Sequence, residues 1–177
     1  MTAAGDDVDL ASLVRDVPDY PQPGVVFKDL TPLLADPAGL KAAVDRIVAA
    51  QVPGSVDKVV GIEARGFLLA APVAYLLGAG VVPVRKPGKL PGPVHERSYE
   101  LEYGSNTLQV HQDAFAPGDR VLIVDDVLAT GGTAAAAVHL VQHSGAEVVG
   151  LAVLLELAFL DGRSALPGLA VHALLSS

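Results

Sequence analysis

The stretch RVLIVDDVLATGGT, residues 120–133, decides the fold. Its opening is a run of branched apolar side chains, short enough for a strand and continuous enough for one covered on both faces. Two aspartates follow the run, then a Thr/Gly-rich turn opens an apolar helix over residues 133–143. The same alternation stands on either side. Upstream, KVVGI (58–62) reads as a buried strand, residues 67–77 as an apolar helix and residues 81–85 as the next strand. Downstream, strands are expected at residues 147–155 and 169–174, with a further one at 107–111. Nearer the start, Asp36 and Pro37 form a helix N-terminus, and Leu40, Val44, Ile47 and Val48 recur behind them at helical spacing. Strand–helix alternation predicts an α/β fold with a mainly parallel central sheet flanked by helices. In such sheets ligands lie outside the carboxyl ends of the strands, which directs attention to the residues just past each strand.

The 177 residues suit a single domain over 1–177, with a frayed start at residues 1–6. Apolar residues make up 51% and charged ones 18%, so the chain is not a disordered polymer. Cysteine is absent, which excludes a disulfide framework, a thiolate zinc site and a cysteine nucleophile. Twelve Lys+Arg against 20 Asp+Glu give a net charge of −8, a poor basis for holding nucleic acid by its phosphates. The first ten residues are acidic and lack a signal's basic start, and no apolar run approaches membrane-span length. The expectation is a cytoplasmic protein with neither a nucleic-acid nor a membrane partner.

Three segments carry candidate chemistry. In VDDVLATGGT (124–133), glycines let successive N–H groups turn toward one anion, the helix start adds partial positive charge, and Thr130 and Thr133 offer hydroxyls. The lysine and spacing of a Walker loop are absent. Carboxylates beside a phosphate cradle need another partner, and vicinal hydroxyls suit Asp125 and Asp126, so the segment reads as a 5-phosphoribosyl binder. A strand-to-helix turn with capping aspartates is the plainer alternative. Next, EARG (63–66) follows a buried strand, and Arg65 can hold an anion in bidentate fashion; a surface ion pair beside a helix-start glycine fits equally. Third, YPQPGVVFKDLTPLL (20–34) places Phe27 where an aromatic ring can stack on a planar base, or simply anchor the N-terminal arm. Residues 86–104 are rich in Pro and Gly and poor in apolar side chains. Lys86, Lys89 and Arg97 there favour a flexible lid over something negative, against a hairpin with no catalytic part. His139 and His143 sit four apart without the glutamate of a zinc motif and read as surface or packed residues.

PDYPQPGVVFKDLTPLL, GIEARGFLLAAPVA, VRKPGKLPGP, SYELEYG and VDDVLATGGT occur in one order, and together they resemble the adenine phosphoribosyltransferases, a branch of the type I phosphoribosyltransferase family. The resemblance runs from Leu10 to Ser177. It implies the family's fold with a flexible hood or lid, and transfer of a 5-phosphoribosyl group from 5-phosphoribosyl 1-pyrophosphate to adenine, giving AMP and pyrophosphate with Mg²⁺. It implies that Asp125 and Asp126 meet the ribose hydroxyls and that Ala129, Thr130, Gly131, Gly132 and Thr133 hold the 5′-phosphate. Glu63, Ala64, Arg65 and Gly66 would form the pyrophosphate loop, with a cis peptide between Glu63 and Ala64, and Arg85, Lys86 and Lys89 would add further pyrophosphate contacts. Relatives supply such an arginine across a homodimer, so Arg85 is expected to act in that way. Val26, Phe27, Lys28 and Leu157 would enclose adenine, Glu102 would assist proton transfer at the purine, and Tyr103 would close over the site as part of the lid. Mg²⁺ is expected to be held mainly by the substrate rather than by protein ligands.

Two positions separate relatives. Enzymes for hypoxanthine, guanine or xanthine carry an acidic residue where this chain has Ala129, so the resemblance favours adenine. Lys28 stands where many members have arginine; it keeps the charge and loses the planar fork. A regulator that senses phosphoribosyl pyrophosphate on the same fold is the alternative from another class, disfavoured by the acidic charge, the lid and the lack of a spare N-terminal domain.

Overall fold

The computed structural model describes residues 8–100 and 105–177. Glu102, Tyr103 and the expected frayed start lie outside the described residues. The chain divides into two compact units, Met1–Arg46 and Ile47–Ser177.

In the first unit, β1 (Arg15–Pro18) and β2 (Val26–Asp29) form an antiparallel ribbon that the sequence pattern did not announce. Its register sets Asp16 opposite Lys28 and Arg15 opposite Asp29, and both pairs bridge through their charges. Hydrogen bonds from Thr31 and then from Arg15 hold the Asp29 carboxyl down at about 2. The Tyr20–Pro21 peptide is cis, and the Tyr20 ring meets the Phe27 ring edge-on at 5.2 Å. A short helix α1 (Thr31–Ala35) leads into α2 (Pro37–Ala49), within which the two units meet in the sequence. As expected, Asp36 caps α2: its Oδ1 accepts the Gly39 N–H at 2.7 Å.

The second unit is built on five strands: β3 (Lys58–Ile62), β4 (Gly80–Val84), β7 (Arg120–Leu128), β8 (Glu147–Glu156) and β9 (Val171–Ser176). They form one sheet in the order β4-β3-β7-β8-β9, parallel throughout. Helix α3 (Gly66–Leu77) carries the chain from β3 to β4, and α4 (Gly132–His143) from β7 to β8. Val60, Ile62, Val121, Ile123, Leu140 and Leu151 are fully buried members of one core, which is why the central strands read as unbroken apolar runs. The first crossover moves away from the β3–β7 seam in one direction and the second in the other. That seam is the topological switch where an open parallel sheet leaves a crevice at its carboxyl edge.

Residues 86–104 are only partly the irregular connection expected. β5 (Val94–Glu100) pairs antiparallel with β6 (Ser105–His111), joined to the end of β4 by an Arg85–Gln109 bridge. The strand VHERSYE hides from sequence reading because few of its side chains face the core. Its stability comes from across the ribbon: Ser98 and Thr107 share a hydroxyl hydrogen bond, the Gln109 amide donates to Glu96, and Tyr99 packs on the core.

Candidate active site

Four segments leave the carboxyl edge of the sheet: residues 63–66 after β3, residues 85–89 after β4, the end of β7 with residues 129–131, and Leu157 after β8.

The first two are locked together. The Glu63 N–H donates to the Val84 carbonyl at 2.9 Å, pinning the turn after β3 to the end of β4. The Glu63 carboxylate accepts the Lys86 N–H at 2.9 Å and Arg85 Nε at 3.2 Å. The Lys86 amide and then the Arg85 charge hold that carboxyl below its usual range, against the opposing pull of burial. Arg85 also donates to the Lys89 carbonyl at 3.3 Å and lies 5.8 Å from the centre of the Phe67 ring. Arg85 is thus engaged inside its own chain, and Lys89 takes part through its backbone. The Glu63–Ala64 peptide is cis, as expected.

The turn after β3 also reaches β7. Arg65 Nε donates to the Asp126 carboxylate, which belongs to a residue only 7% exposed. Gly66 sits directly over Asp125: a Cβ there would lie 2.9 Å from both the Asp125 Oδ1 and the Val124 carbonyl. No side chain fits in that gap. Asp125 in turn accepts the Asp126 N–H at 2.9 Å. Burial, then the adjacent Asp126 charge, pushes the Asp125 carboxyl well above its ordinary range. The two aspartates, alike in sequence, are therefore distinct: Asp126 is buried and paired with an arginine, while the half-buried Asp125 has its carboxyl crowded by Gly66 and pushed up by desolvation and by the Asp126 charge.

Past Leu128 the chain turns through Ala129, Thr130 and Gly131 into α4. Gly131 starts the helix at φ +85°, a left-handed conformation that suits glycine, and among the described residues no side chain caps it. The first N–H groups of the helix have no intrahelical acceptor and carry its partial positive charge. A helix start of this kind can accept an anion, the chemistry expected of residues 129–133. Thr133 lends its hydroxyl to the Tyr99 hydroxyl at 3.0 Å, and Gly132 lies beneath that ring. Leu157 is fixed by its N–H to the Leu128 carbonyl at 2.9 Å.

Val26, Phe27 and Lys28 lie in the first unit, on β2, where the Lys28 ammonium is held by both carboxylate oxygens of Asp16 at 2.8 and 3.0 Å. Its charge is spent within the ribbon. Among the described residues no group of three or more His, Asp or Glu side chains is placed to hold a metal ion. His139 and His143 stack at 6.0 Å, and His143 meets His95 edge-on at 4.8 Å, so they are packing residues of the face between α4 and β5.

Sequence reading missed Tyr99, Gln109, Glu156, Gly162 and Arg163 around these segments. Gln109 bridges the Gly88 N–H and Glu96, and Glu156 pairs with Arg163. A glutamate ending a buried strand, seven residues before the arginine of a Gly-Arg pair, was the one signal available.

Among known proteins, the phosphoribosyl transferase domain family matches residues 33–165. Adenine phosphoribosyltransferase of Acidothermus cellulolyticus is 63% identical over 166 residues, covering 94% of each chain. The crystal structure of adenine phosphoribosyltransferase from Thermoanaerobacter pseudethanolicus superposes with a TM-score of 0.91 at 45% identity, covering 95% of this chain and 98% of that one. The APRTase of Giardia lamblia, complexed with 9-deazaadenine, gives 0.89 at 38% identity over 96% of both chains. With the seam geometry, the paired charges and the uncapped start of α4 already in place, these likenesses leave one conclusion: the chain belongs to the phosphoribosyltransferase family, in its adenine phosphoribosyltransferase branch, the pentosyltransferases of purine salvage.

Proposed function

We propose that the carboxyl edge of the sheet moves a 5-phosphoribosyl group from its 1-pyrophosphate to adenine, releasing AMP and pyrophosphate, with the work divided among the segments above. One observation carries the division: at the β3–β7 seam Arg65 from the turn after β3 pairs with Asp126 at the end of β7, beside the uncapped start of α4, while Arg85 after β4 is tied to the same turn through Glu63. Residues 129–133 take the 5′-phosphate through backbone N–H groups together with the Thr130 and Thr133 hydroxyls. Asp125 and Asp126 accept the ribose hydroxyls. Glu63, Ala64, Arg65 and Gly66 with Arg85, Lys86 and Lys89 receive the pyrophosphate, whose charge grows as the anomeric carbon becomes oxocarbenium-like. Cations already in position lower that barrier, and local charge rather than the net −8 decides what binds.

Mg²⁺ carried on the substrate's diphosphate supplies further charge neutralisation. The carboxylates at this edge are already engaged, Asp126 with Arg65 and Glu63 with Arg85 and the Lys86 amide, and among the described residues no group of three or more such side chains could hold the ion, which supports an ion that would be held mainly by the substrate. Val26, Phe27, Lys28 and Leu157 enclose adenine. With the Lys28 ammonium occupied by Asp16, that contact falls to its backbone. Glu102 takes or relays the purine proton, and Tyr103 closes the lid. The two units work as one phosphoribosyltransferase domain, a reading supported by a family match that crosses their boundary.

A homodimer completes the proposal. Leu68, Tyr75 and Leu76 on α3 and Val81 on the edge strand β4 are exposed, Tyr75 at 84%, and this apolar surface supports burial against a second copy. Both phosphorylated reaction partners fail to cross membranes unaided, which supports a cytoplasmic site. No helix among the described residues is long and apolar enough to span a membrane.

The test is direct. With Mg²⁺ and phosphoribosyl pyrophosphate, adenine should yield AMP, and hypoxanthine, guanine and xanthine should yield far less nucleotide; no nucleotide from adenine would refute the reading. Glu102→Gln should lower kcat by roughly 10²-fold or more while leaving phosphoribosyl pyrophosphate affinity near wild type. Unchanged turnover removes Glu102 from the chemistry.

A further inference from the structure

The phosphate cradle proposed at residues 129–133 does not stand alone. Behind it runs a turn over residues 158–165, which the family resemblance left without a role. Glu156, the last residue of β8 and 8% exposed, accepts Arg163 Nε and Nη2, each at 2.7 Å, in a two-pronged ion pair. The third guanidinium nitrogen, Nη1, donates to the Val171 carbonyl on β9 at 3.1 Å. One side chain therefore ties the end of β8, the turn and β9 together.

The residue before Arg163 is Gly162, and its backbone is pressed against the cradle. A Cβ at Gly162 would lie 2.2 Å from the Ala129 carbonyl oxygen, and a Cβ at Gly131 would lie 2.3 Å from the Gly162 carbonyl oxygen. Main chain meets main chain with no side chain between. The orientation of the Gly131 peptide, and with it the first N–H groups of α4, is set from behind by where Gly162 stands. Gly162 is followed directly by Arg163, whose guanidinium is anchored to β8 and β9.

We propose that the Glu156–Arg163 pair is a positioning clamp for the 5′-phosphate: it fixes Gly162 behind Ala129 and Gly131 and so aims the backbone donors of the cradle. Arg163 touches no substrate in this role. The inference rests on reading residues 129–133 as the phosphate site. An angular error in several N–H donors acts on the 5′-phosphate and leaves the pyrophosphate contacts, which lie on other segments, unchanged. A displacement of about 1 Å at such a site costs up to 10²-fold.

The experiment measures ribose 5-phosphate affinity and pyrophosphate product inhibition for Arg163→Leu, Arg163→Lys and Glu156→Gln, beside Thr130→Val and Thr133→Val. Arg163→Leu should weaken ribose 5-phosphate by roughly ten- to hundredfold and leave the pyrophosphate inhibition constant within about twofold. Arg163→Lys, which keeps the charge without the fork, should fall between Arg163→Leu and wild type. If Arg163→Leu does not fold, the two milder variants carry the test with the same selective loss expected. Ribose 5-phosphate affinity unchanged in folded Arg163 and Glu156 variants, or an equal loss of both ligands, overturns the clamp. The threonine variants separate the two ideas. Should they weaken ribose 5-phosphate while the clamp variants do not, only the clamp falls; should they too leave it untouched, the phosphate-site reading falls.

Discussion

The turn after β3 and the turn after β7 begin on adjacent strands and are made of opposite materials. The first is armed with charged side chains, and each is already matched: Glu63 with Arg85 and the Lys86 amide, Arg65 with Asp126. The second has no charged side chain between Leu128 and α4 and relies on main-chain donors braced by another stretch of main chain. On the assignment proposed above, an anion entering the first turn competes with carboxylates already paired there, and one entering the second meets main-chain donors braced from behind. The first would then be an exchange site, sensitive to salt and to side-chain substitution, and the second a rigid one, sensitive to backbone geometry.

The largest effect should come from breaking the rigid turn. Gly131→Ala introduces both a left-handed alanine and a Cβ that meets the Gly162 carbonyl at 2.3 Å. A loss of roughly 2–5 kcal/mol in unfolding free energy is expected by urea titration, with phosphoribosyl pyrophosphate binding abolished. Retention of tight binding would show that the turn is more pliant than its contacts imply. Next come the aspartates, which separate the two materials at one point. Asp126→Asn removes the negative charge that Arg65 Nε meets and should raise the KM for phosphoribosyl pyrophosphate by roughly tenfold or more, sparing adenine. Asp125→Asn should weaken the same substrate without lowering stability. Its carboxyl is raised in the folded chain, so the stability it gives is present in acid, below the unfolded value, and lost as pH rises through the folded one. At pH 7 the Asn variant should melt no lower than wild type, and the difference should close in acid; a lower Tm at pH 7 contradicts the raised carboxyl. The smallest effect belongs to Glu63. Its carboxyl is lowered, so its contribution is full above the unfolded value and disappears as pH falls through the folded one. Glu63→Gln should flatten the acid limb of the unfolding free energy, measured by urea titration between pH 5 and pH 3, by less than about 1 kcal/mol.

The same contrast explains what could be read in advance. The sheet was legible because its central strands are covered on both faces and leave unbroken apolar runs, as in VLIV. The turn after β7 was legible too as a strand-to-helix connection, since Thr and Gly between an apolar strand and an apolar helix mark the place where the chain reverses. Three things were not. The ribbon of β5 and β6 owes its stability to cross-strand pairs, and a cross-strand partner leaves no periodic trace in a single strand. That Asp125 and Asp126 differ in environment depends on Gly66 and Arg65, some sixty positions earlier in the chain. Lys28 looked available for a base until its opposite number in the register, Asp16, claimed the ammonium. Side-chain identity announces chemistry, but only the register tells which charges are already taken.

The pairing of Arg65 with Asp126 has a calorimetric consequence. Arg65 is one of the influences that keep the Asp125 carboxyl from rising further. If the proposed diphosphate draws that guanidinium away, Asp125 loses one of the influences that lower its carboxyl and gains affinity for a proton. Substrate uptake should then carry a proton from solution with it, and the measured heat should scale with the ionisation enthalpy of whichever buffer supplies it.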